Sequence, residues 1–184
     1  MDKFPTRKPV RLKEYDYSMA GYYYVTICTH NREEIFGKYK NIVGAPLACA
    51  RNQNTCARIE LSIIGKIIDR QWNDIENQYD NVELDEYIIM PNHIHGILII
   101  NKREGASPSP TIPQIIRSFK SKSVLEYIKY INDNNLNVSG KIWQRSFYDH
   151  VIRNEQSLDA IREYISNNPL KWDDDENNMT GKNS

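Results

Sequence analysis

The sequence is poor in cysteine and contains no long apolar run. Its three cysteines, Cys28, Cys49 and Cys56, form neither a metal-binding spacing nor an even set for disulfides, which favours a reducing cytoplasm. The longest apolar stretches, such as Ile94–Ile100, are far too short to cross a bilayer. The N-terminal residues lack the apolar region of a secretory signal. We therefore expect a cytoplasmic protein that does not associate with membranes.

Net charge is also absent, since 24 basic residues balance 24 acidic ones. The charges are nevertheless uneven along the chain. Basic residues gather near the start (Lys3, Arg7, Lys8, Arg11, Lys13) and in the middle (Lys102, Arg103, Arg117, Lys120, Lys122, Lys129), and the tail is acidic (Asp173, Asp174, Asp175, Glu176). Local basic stretches can hold phosphates in a neutral molecule, although each alone is equally typical of solvated surface. We predict a basic arm over 1–20, one domain over 21–172 and an acidic flexible tail over 173–184.

Apolar periodicity predicts an α+β fold. The expected strands are Tyr22–Thr29, Val82–Met90, His93–Asn101 and a strand followed by an irregular turn within Ile142–Ile152, with Ile35–Val43 as a short strand or hairpin. The expected helices are Ile59–Tyr79, Thr111–Ile131 and a third that is capped by Asn154 and runs to about Asn167. Gly44–Ala57 and Arg103–Pro110 are expected to be loops. This order matches the ferredoxin-like split β-α-β-β-α-β plan, an antiparallel sheet with helices on one face, followed by a C-terminal helix.

Histidine is scarce, and two of the four histidines are His93 and His95. Side chains alternate along a strand, so this pair points to one face while Ile94 points to the other. Two neighbouring imidazoles suit a divalent metal ion. Two structural histidines satisfied by hydrogen bonds are the competing interpretation, but burying both on a sheet face demands partners.

A second feature lies on the predicted C-terminal helix, where Tyr164 and Asn168 are four residues apart and share a face. Tyr164 offers a phenol oxygen, and Asn168 offers an amide oxygen that could complete a two-histidine metal site. Since twelve tyrosines occur in the chain, a structural role for Tyr164 is the simpler alternative.

Four segments together resemble a known family. They are Tyr22–Asn31 (YYYVTICTHN), Ile88–Ile97 (IIMPNHIHGI), Trp143–Arg153 (WQRSFYDHVIR) and Ile161–Lys171 (IREYISNNPLK). In this order they resemble the single-tyrosine HUH transposases, also called IS200-like, and are most similar to the REP-associated tyrosine transposases of bacteria. The resemblance covers roughly 21–172.

The resemblance implies a mechanism and its residues. His93, His95 and Asn168 would bind Mg²⁺ or Mn²⁺, and Tyr164 would attack a phosphodiester of single-stranded or hairpin DNA to form a 5′-phosphotyrosine. Tyr148 is the alternative nucleophile. Arg7, Lys8, Arg11, Arg117, Lys120 and Lys122 are candidate phosphate contacts. The resemblance also implies a nucleoid-associated protein and leaves a homodimer open.

Three other functions compete with this one. A replication initiator or relaxase uses the same residue types but usually carries further domains. A histidine-cluster phosphohydrolase is disfavoured because position 97 is Ile. A hairpin-binding protein without catalysis remains an alternative, since the presence of these residues does not establish turnover.

Overall fold

The computed structural model describes residues 15–43, 55–102, 109–175 and 177–178. Its central sheet is antiparallel, with the strand order β4–β5–β1–β6. These strands are β1 (Gly21–Cys28), β4 (Val82–Ile89), β5 (His93–Ile100) and β6 (Tyr148–Ile152). The order is the one expected of the split β-α-β-β-α-β plan, so the predicted α+β fold is confirmed.

The helices are α1 (Ile63–Asn73), α2 (Ile75–Gln78), α3 (Ile112–Asp133) and α4 (Glu155–Asn167), and a 3₁₀ helix, Asn168–Asp174, follows α4 directly. Side chains cap the beginnings of α1, α3 and α4, whereas the side chain of Asp74 does not cap α2. Ser62 caps α1, Thr111 forms a capping box on α3, and Asn154 accepts a hydrogen bond from the backbone N–H of Ser157 at 2.8 Å, as its sequence position predicted.

The sheet is covered on both faces. The α1 and α3 helices pack on one face over the larger apolar cluster, which includes Val25, Leu98 and Trp72. A Cβ on Gly96 would lie 2.4 Å from the ring of Trp72, so glycine at this position lets α1 approach β5 closely. The smaller cluster lies on the other face, where α4 packs. Odd-numbered residues of β5, including both histidines, face α4.

Both predicted boundaries of the first helix are wrong. The helix was expected to start at Ile59, but Thr55–Leu61 forms strand β3, which pairs with β2 (Gly37–Val43) in a separate two-stranded ribbon. Ser62 caps the helix that follows, so this helix begins at Ile63 and not earlier in the chain. The first helix also ends at Asn73 rather than at Tyr79. The short helix α2 follows it. Of the loop expected over Gly44–Ala57, residues 55–57 belong to β3 and the rest lies outside the described residues.

The order within Ile142–Ile152 is also reversed. Its first half is irregular, with Trp143 forming only an isolated bridge to Thr29, and the strand comes second as β6. Lys120 explains this, because its ammonium donates hydrogen bonds to the carbonyls of Gln144 (2.8 Å) and Ser146 (3.1 Å), which removes those groups from strand pairing.

Several expectations lie outside the described residues: the arm over 1–14, the loop over 103–108 and the tail beyond residue 178. Within the part that is described, no helix is both long enough and apolar enough to span a bilayer.

Candidate active site

Two buried histidines form the centre of the site. His93 and His95 begin β5, are 0% and 2% exposed, and approach through their Nε2 atoms at 3.0 Å. Burial, and then the nearby Arg32 charge, lower the pKa of His93 to about 3. Burial and the neighbouring His93 lower the pKa of His95 well below its ordinary value. Both imidazoles are therefore neutral at pH 7, the form that binds metal ions.

The side chain of Asn92 orients His93. Its Nδ2 donates to the carbonyls of Arg32 (3.1 Å) and Asn177 (2.8 Å), which identifies Oδ1 as the acceptor facing His93 Nδ1 at 2.8 Å. His93 Nδ1 must then carry the ring proton. The lone pair of His93 Nε2 is consequently left pointing towards His95.

Two hydroxyl groups support His95 from β1. Its Nδ1 lies 2.6 Å from the hydroxyl of Tyr24 and 2.9 Å from that of Thr26. Hydroxyls can donate or accept, so they tolerate either tautomer of the ring. When Nδ1 carries the proton, the Nε2 lone pairs of both histidines face the same point. Groups of this kind orient metal-binding histidines. Sequence reasoning missed them, because the β1–β5 register that places Thr26 opposite His95 is a tertiary feature.

Tyr164 lies next to the histidine pair. Its hydroxyl is 3.4 Å from His95 Nε2, and the side chain is 41% exposed. Leu158 and Ile165 of α4 are buried against the sheet, which holds the helix so that Tyr164 faces β5. A cleft of about 450 Å³ opens here and is lined by Tyr24, His95 and Tyr164 among others. The predicted nucleophile and the predicted metal-binding histidines are thus brought together.

Asn168 is buried at the end of α4, with only 2% exposed. Its backbone is still helical, so it follows Tyr164 by one turn. Among the described residues, no hydrogen-bond donor reaches its Oδ1. A buried amide oxygen without a donor costs free energy that a bound cation would offset. Two neutral imidazoles and this oxygen are a donor set that fits a divalent ion.

Asp175 adds a carboxylate that the sequence analysis did not consider. It had been placed in the flexible acidic tail, but its side chain is only 4% exposed and its Oδ2 lies 3.9 Å from His93 Nε2. The candidate ligand atoms of His93, His95 and Asp175 all lie within 4.8 Å of one another. The expectation of an acidic flexible tail did not place this carboxylate beside the histidines. The chain folds back because Trp172 of the 3₁₀ helix is buried with its ring 6.1 Å from that of His93.

Comparison with known proteins identifies the family. The model of the family described as "Transposase IS200 like" matches residues 62–168. The chain belongs to the IS200-like transposase family. An uncharacterised protein of Haemophilus influenzae is 33% identical over 186 residues, covering 92% of each chain. A solved structure of a REP-associated tyrosine transposase bound to a REP hairpin covers 88% of this chain and 74% of its own at 15% identity, with a TM-score of 0.54. That similarity concerns the fold.

The alternative nucleophile of this transposase lies at the rim of the cleft. Tyr148 is 50% exposed on β6, and its ring centre is 6.2 Å from that of Tyr24. His150, two residues later, is exposed and lines a different cavity together with Tyr17 and Arg153. Of the two tyrosines, Tyr164 is the one within reach of His95.

The basic residues predicted to contact DNA are described in part. Arg7, Lys8 and Arg11 lie outside the described residues. Arg117 is exposed on α3, which covers the sheet face opposite the histidines, and Lys122 on the same helix lies 3.5 Å from Asp74. Lys120 is half-buried, and burial lowers its pKa to about 8. Because its ammonium binds the carbonyls that precede β6, its position indicates a structural role.

Proposed function

We propose that this transposase is a metal-dependent enzyme that cuts and rejoins single-stranded DNA through a 5′-phosphotyrosine at Tyr164. The observation that supports this most directly is the 3.4 Å separation between the phenol oxygen of Tyr164 and His95 Nε2. A phenol at the open side of two neutral, buried imidazoles has the arrangement needed for attack on a phosphate held beside them.

His93, His95 and Asn168 would hold the metal ion, with Mg²⁺ or Mn²⁺ as the expected species. When bound, such an ion supplies Lewis-acid stabilisation of the scissile phosphate. Imidazole nitrogens suit Mn²⁺ better than Mg²⁺, which prefers oxygen ligands. Asn92, Tyr24 and Thr26 keep the two rings directed at one point.

The chemical step exchanges one phosphodiester for another. The Tyr164 oxygen forms a bond to phosphorus while the bond from phosphorus to the 3′ oxygen of the preceding nucleotide breaks. Tyr164 loses its phenolic proton, and the departing strand ends in a 3′-hydroxyl. Attack by a 3′-hydroxyl on the phosphotyrosine reverses these changes, so the strands are rejoined without an external energy source.

The substrate in this proposal is single-stranded or hairpin DNA in the bacterial nucleoid. A solved protein of the same fold is described as bound to a REP hairpin, and a nucleophile on a helix beside an open cleft requires an accessible backbone. The arm over 1–20 is proposed to contribute phosphate contacts. A homodimer is compatible with this function and can be tested by light scattering coupled to size-exclusion chromatography.

The decisive experiment incubates the protein with labelled hairpin oligonucleotides from repeats that flank the gene, with Mn²⁺, Mg²⁺ or EDTA. We expect a covalent protein–DNA band on a denaturing gel that requires the metal ion and is lost in Tyr164→Phe, whereas Tyr148→Phe retains it. Hairpin binding by Tyr164→Phe should persist. A band that is lost only in Tyr148→Phe would reassign the nucleophile. Tight binding without any covalent band would favour a hairpin-binding protein that lacks catalysis.

A further inference from the structure

We propose that Asp175 is a protein ligand of the metal ion, in addition to the two histidines and Asn168. This inference rests on the proposed function, because it concerns the same metal site. It adds a negatively charged ligand from a segment beyond the C-terminal helix, which the motif-based assignment does not include.

The Asp175 carboxylate lies where it can share a metal ion with His93. Asp175 Oδ1 accepts a hydrogen bond from the backbone N–H of Asn177 at 2.6 Å. Its Oδ2 lies 3.9 Å from His93 Nε2, which is too long for a hydrogen bond. His93 Nε2 also has no proton to donate, because the proton is on Nδ1. Two ligand atoms that each bind one ion at about 2.1 Å can be at most about 4.2 Å apart, and this pair meets that limit.

The burial of the Asp175 carboxylate also favours a bound cation. A carboxylate taken out of water is costly unless a cation or hydrogen bonds compensate it. The side chain of Asp175 is 4% exposed, and its carboxylate oxygen and one ring nitrogen of each histidine lie within 4.8 Å of one another. A divalent ion between these groups would balance the carboxylate and be coordinated by the imidazole lone pairs. The resulting set of nitrogen and oxygen donors suits Mn²⁺.

The segment that carries Asp175 is held in place independently of any ion. Arg32 Nη1 donates to the Asn177 side-chain oxygen at 2.8 Å, and Asn92 Nδ2 donates to the Asn177 carbonyl at 2.8 Å. Asn178 is buried and donates to the carbonyl of Trp172 at 2.9 Å. Asn92 therefore contacts both His93 and this segment, which fixes the carboxylate relative to the histidine. A preorganised ligand of this kind strengthens binding because little has to be ordered when the ion arrives.

The test measures Mn²⁺ binding in DNA-free protein by electron paramagnetic resonance of the free ion. Asp175→Asn keeps the shape of the side chain and removes its charge, and we expect it to weaken Mn²⁺ binding at least about tenfold. Asp174→Asn is the matched control, since Asp174 is the preceding residue, is exposed and carries the same charge. Its affinity should stay close to that of the unaltered protein. Circular dichroism in EDTA checks that both variants are folded.

A change of ligand type gives a second readout. In Asp175→Cys, Cd²⁺ should produce a thiolate-to-metal charge-transfer absorption, because a coordinating thiol is deprotonated. Asp174→Cys should not produce it beyond the background of the natural cysteines. Absorption in the first variant alone would support direct coordination.

The possible negative results separate the role of Asp175 from the existence of the metal site. If Asp175→Asn binds Mn²⁺ as tightly as Asp174→Asn while a His93→Ala and His95→Ala double variant loses binding, the metal site stands and Asp175 is not a ligand. Faster formation of the covalent DNA adduct in Asp175→Asn with unchanged affinity would also overturn the proposal, because the carboxylate would then only obstruct the cleft. If the unaltered protein binds Mn²⁺ no better than the double variant, the proposed metal-dependent function itself fails.

Discussion

At the scale of single residues, the site depends on how each histidine ring is oriented. Asn92 allows neutral His93 a single tautomer, with the proton on Nδ1, since an amide oxygen can only accept a hydrogen bond. His95 can adopt either tautomer, because its Nδ1 faces hydroxyl groups that can donate or accept. Burial raises the pKa of Tyr24, so this hydroxyl stays protonated and can serve as donor or acceptor. The tautomer of His95 can therefore adapt when an ion binds.

The hydroxyl pair leads to a prediction about metal affinity. Replacing both groups in a Tyr24→Phe and Thr26→Val double variant should weaken Mn²⁺ binding by about 10- to 100-fold, because His95 Nδ1 loses the oxygens that accept its proton in the metal-binding tautomer. Titration calorimetry in the absence of DNA measures this. Tyr22→Phe is the control, since Tyr22 lies on the same strand and face, packed against the smaller apolar cluster. Equal affinities in the two variants would show that the hydroxyls do not support His95.

Sequence patterns recovered some residues of the site and not others. His93 and His95 were singled out by a local pattern, a His-x-His pair at the start of a strand. The role predicted for Tyr164 came from the family resemblance, because a tyrosine on an amphipathic helix has no distinctive local signature. Asp175 was missed because an acidic run near a chain end is usually solvated. The only local signal was Trp172, a large apolar residue that had to be buried somewhere. Asn92 and Thr26 act through contacts that depend on tertiary structure, and no periodicity reveals those.

At the scale of elements, the position of Tyr164, the proposed nucleophile, depends on how α4 docks on the sheet. Arg162 lies on α4 and binds the Asp85 carboxylate of β4 through two nitrogens, at 3.0 Å from Nε and 2.6 Å from Nη2. Asp85 lies where the β4–β5 register shifts between Leu84 and Tyr87, and an irregularity of this kind can redirect a side chain. Although burial opposes it, the hydrogen bonds from Arg162 lower the pKa of Asp85, so the pair is charged at pH 7.

This ion pair should matter more for catalysis than for stability. Asp85→Asn should reduce the free energy of unfolding by less than about 1 kcal/mol, since the guanidinium is partly exposed. It should slow formation of the covalent adduct, because α4 can then shift Tyr164 relative to His95. Single-turnover rates on a hairpin oligonucleotide measure the effect. The control is Asp159→Asn, which removes a more exposed partner of the same arginine within α4. Equal rates in the two variants would contradict a positioning role.

The order of the elements was predictable, whereas the boundaries of the first helix were not. Strands such as β5 and the helix α3 have long, regular apolar patterns that determine their type. The β2–β3 ribbon was half missed, because Ile59 and Leu61 continue the spacing of the following helix and only pairing with β2 reveals them as strand residues. The cap at Ser62 was the available signal, and it marks the beginning of α1.

At the scale of the whole molecule, one sheet separates two different interiors. The face under α1 and α3 is a large apolar core, and the face under α4 combines a small apolar cluster with the polar site. His93 and His95 are therefore fully buried in a layer that has little apolar area with which to offset the cost of polar groups. A metal ion would lower that cost, and without it the pair should make the stability of the folded protein depend on pH.

The direction of this dependence follows from the two pKa values. In the unfolded chain each histidine has a pKa near 6.5, whereas in the folded protein the pKa of His93 is about 3 and that of His95 is also lowered. Below pH 6.5 the unfolded chain binds more protons, so the free energy of unfolding falls as the pH is lowered from about 6.5 towards 4. The loss should be on the order of 2 kcal/mol for His93 by pH 4.5, and the lowered pKa of His95 adds to it in the same direction. Urea unfolding in EDTA across this range measures it, and a His93→Gln and His95→Gln double variant should show a flatter profile because glutamine does not titrate. Parallel profiles would mean that the two histidines are protonated as readily in the folded protein as in the unfolded chain, contrary to their burial beneath α4.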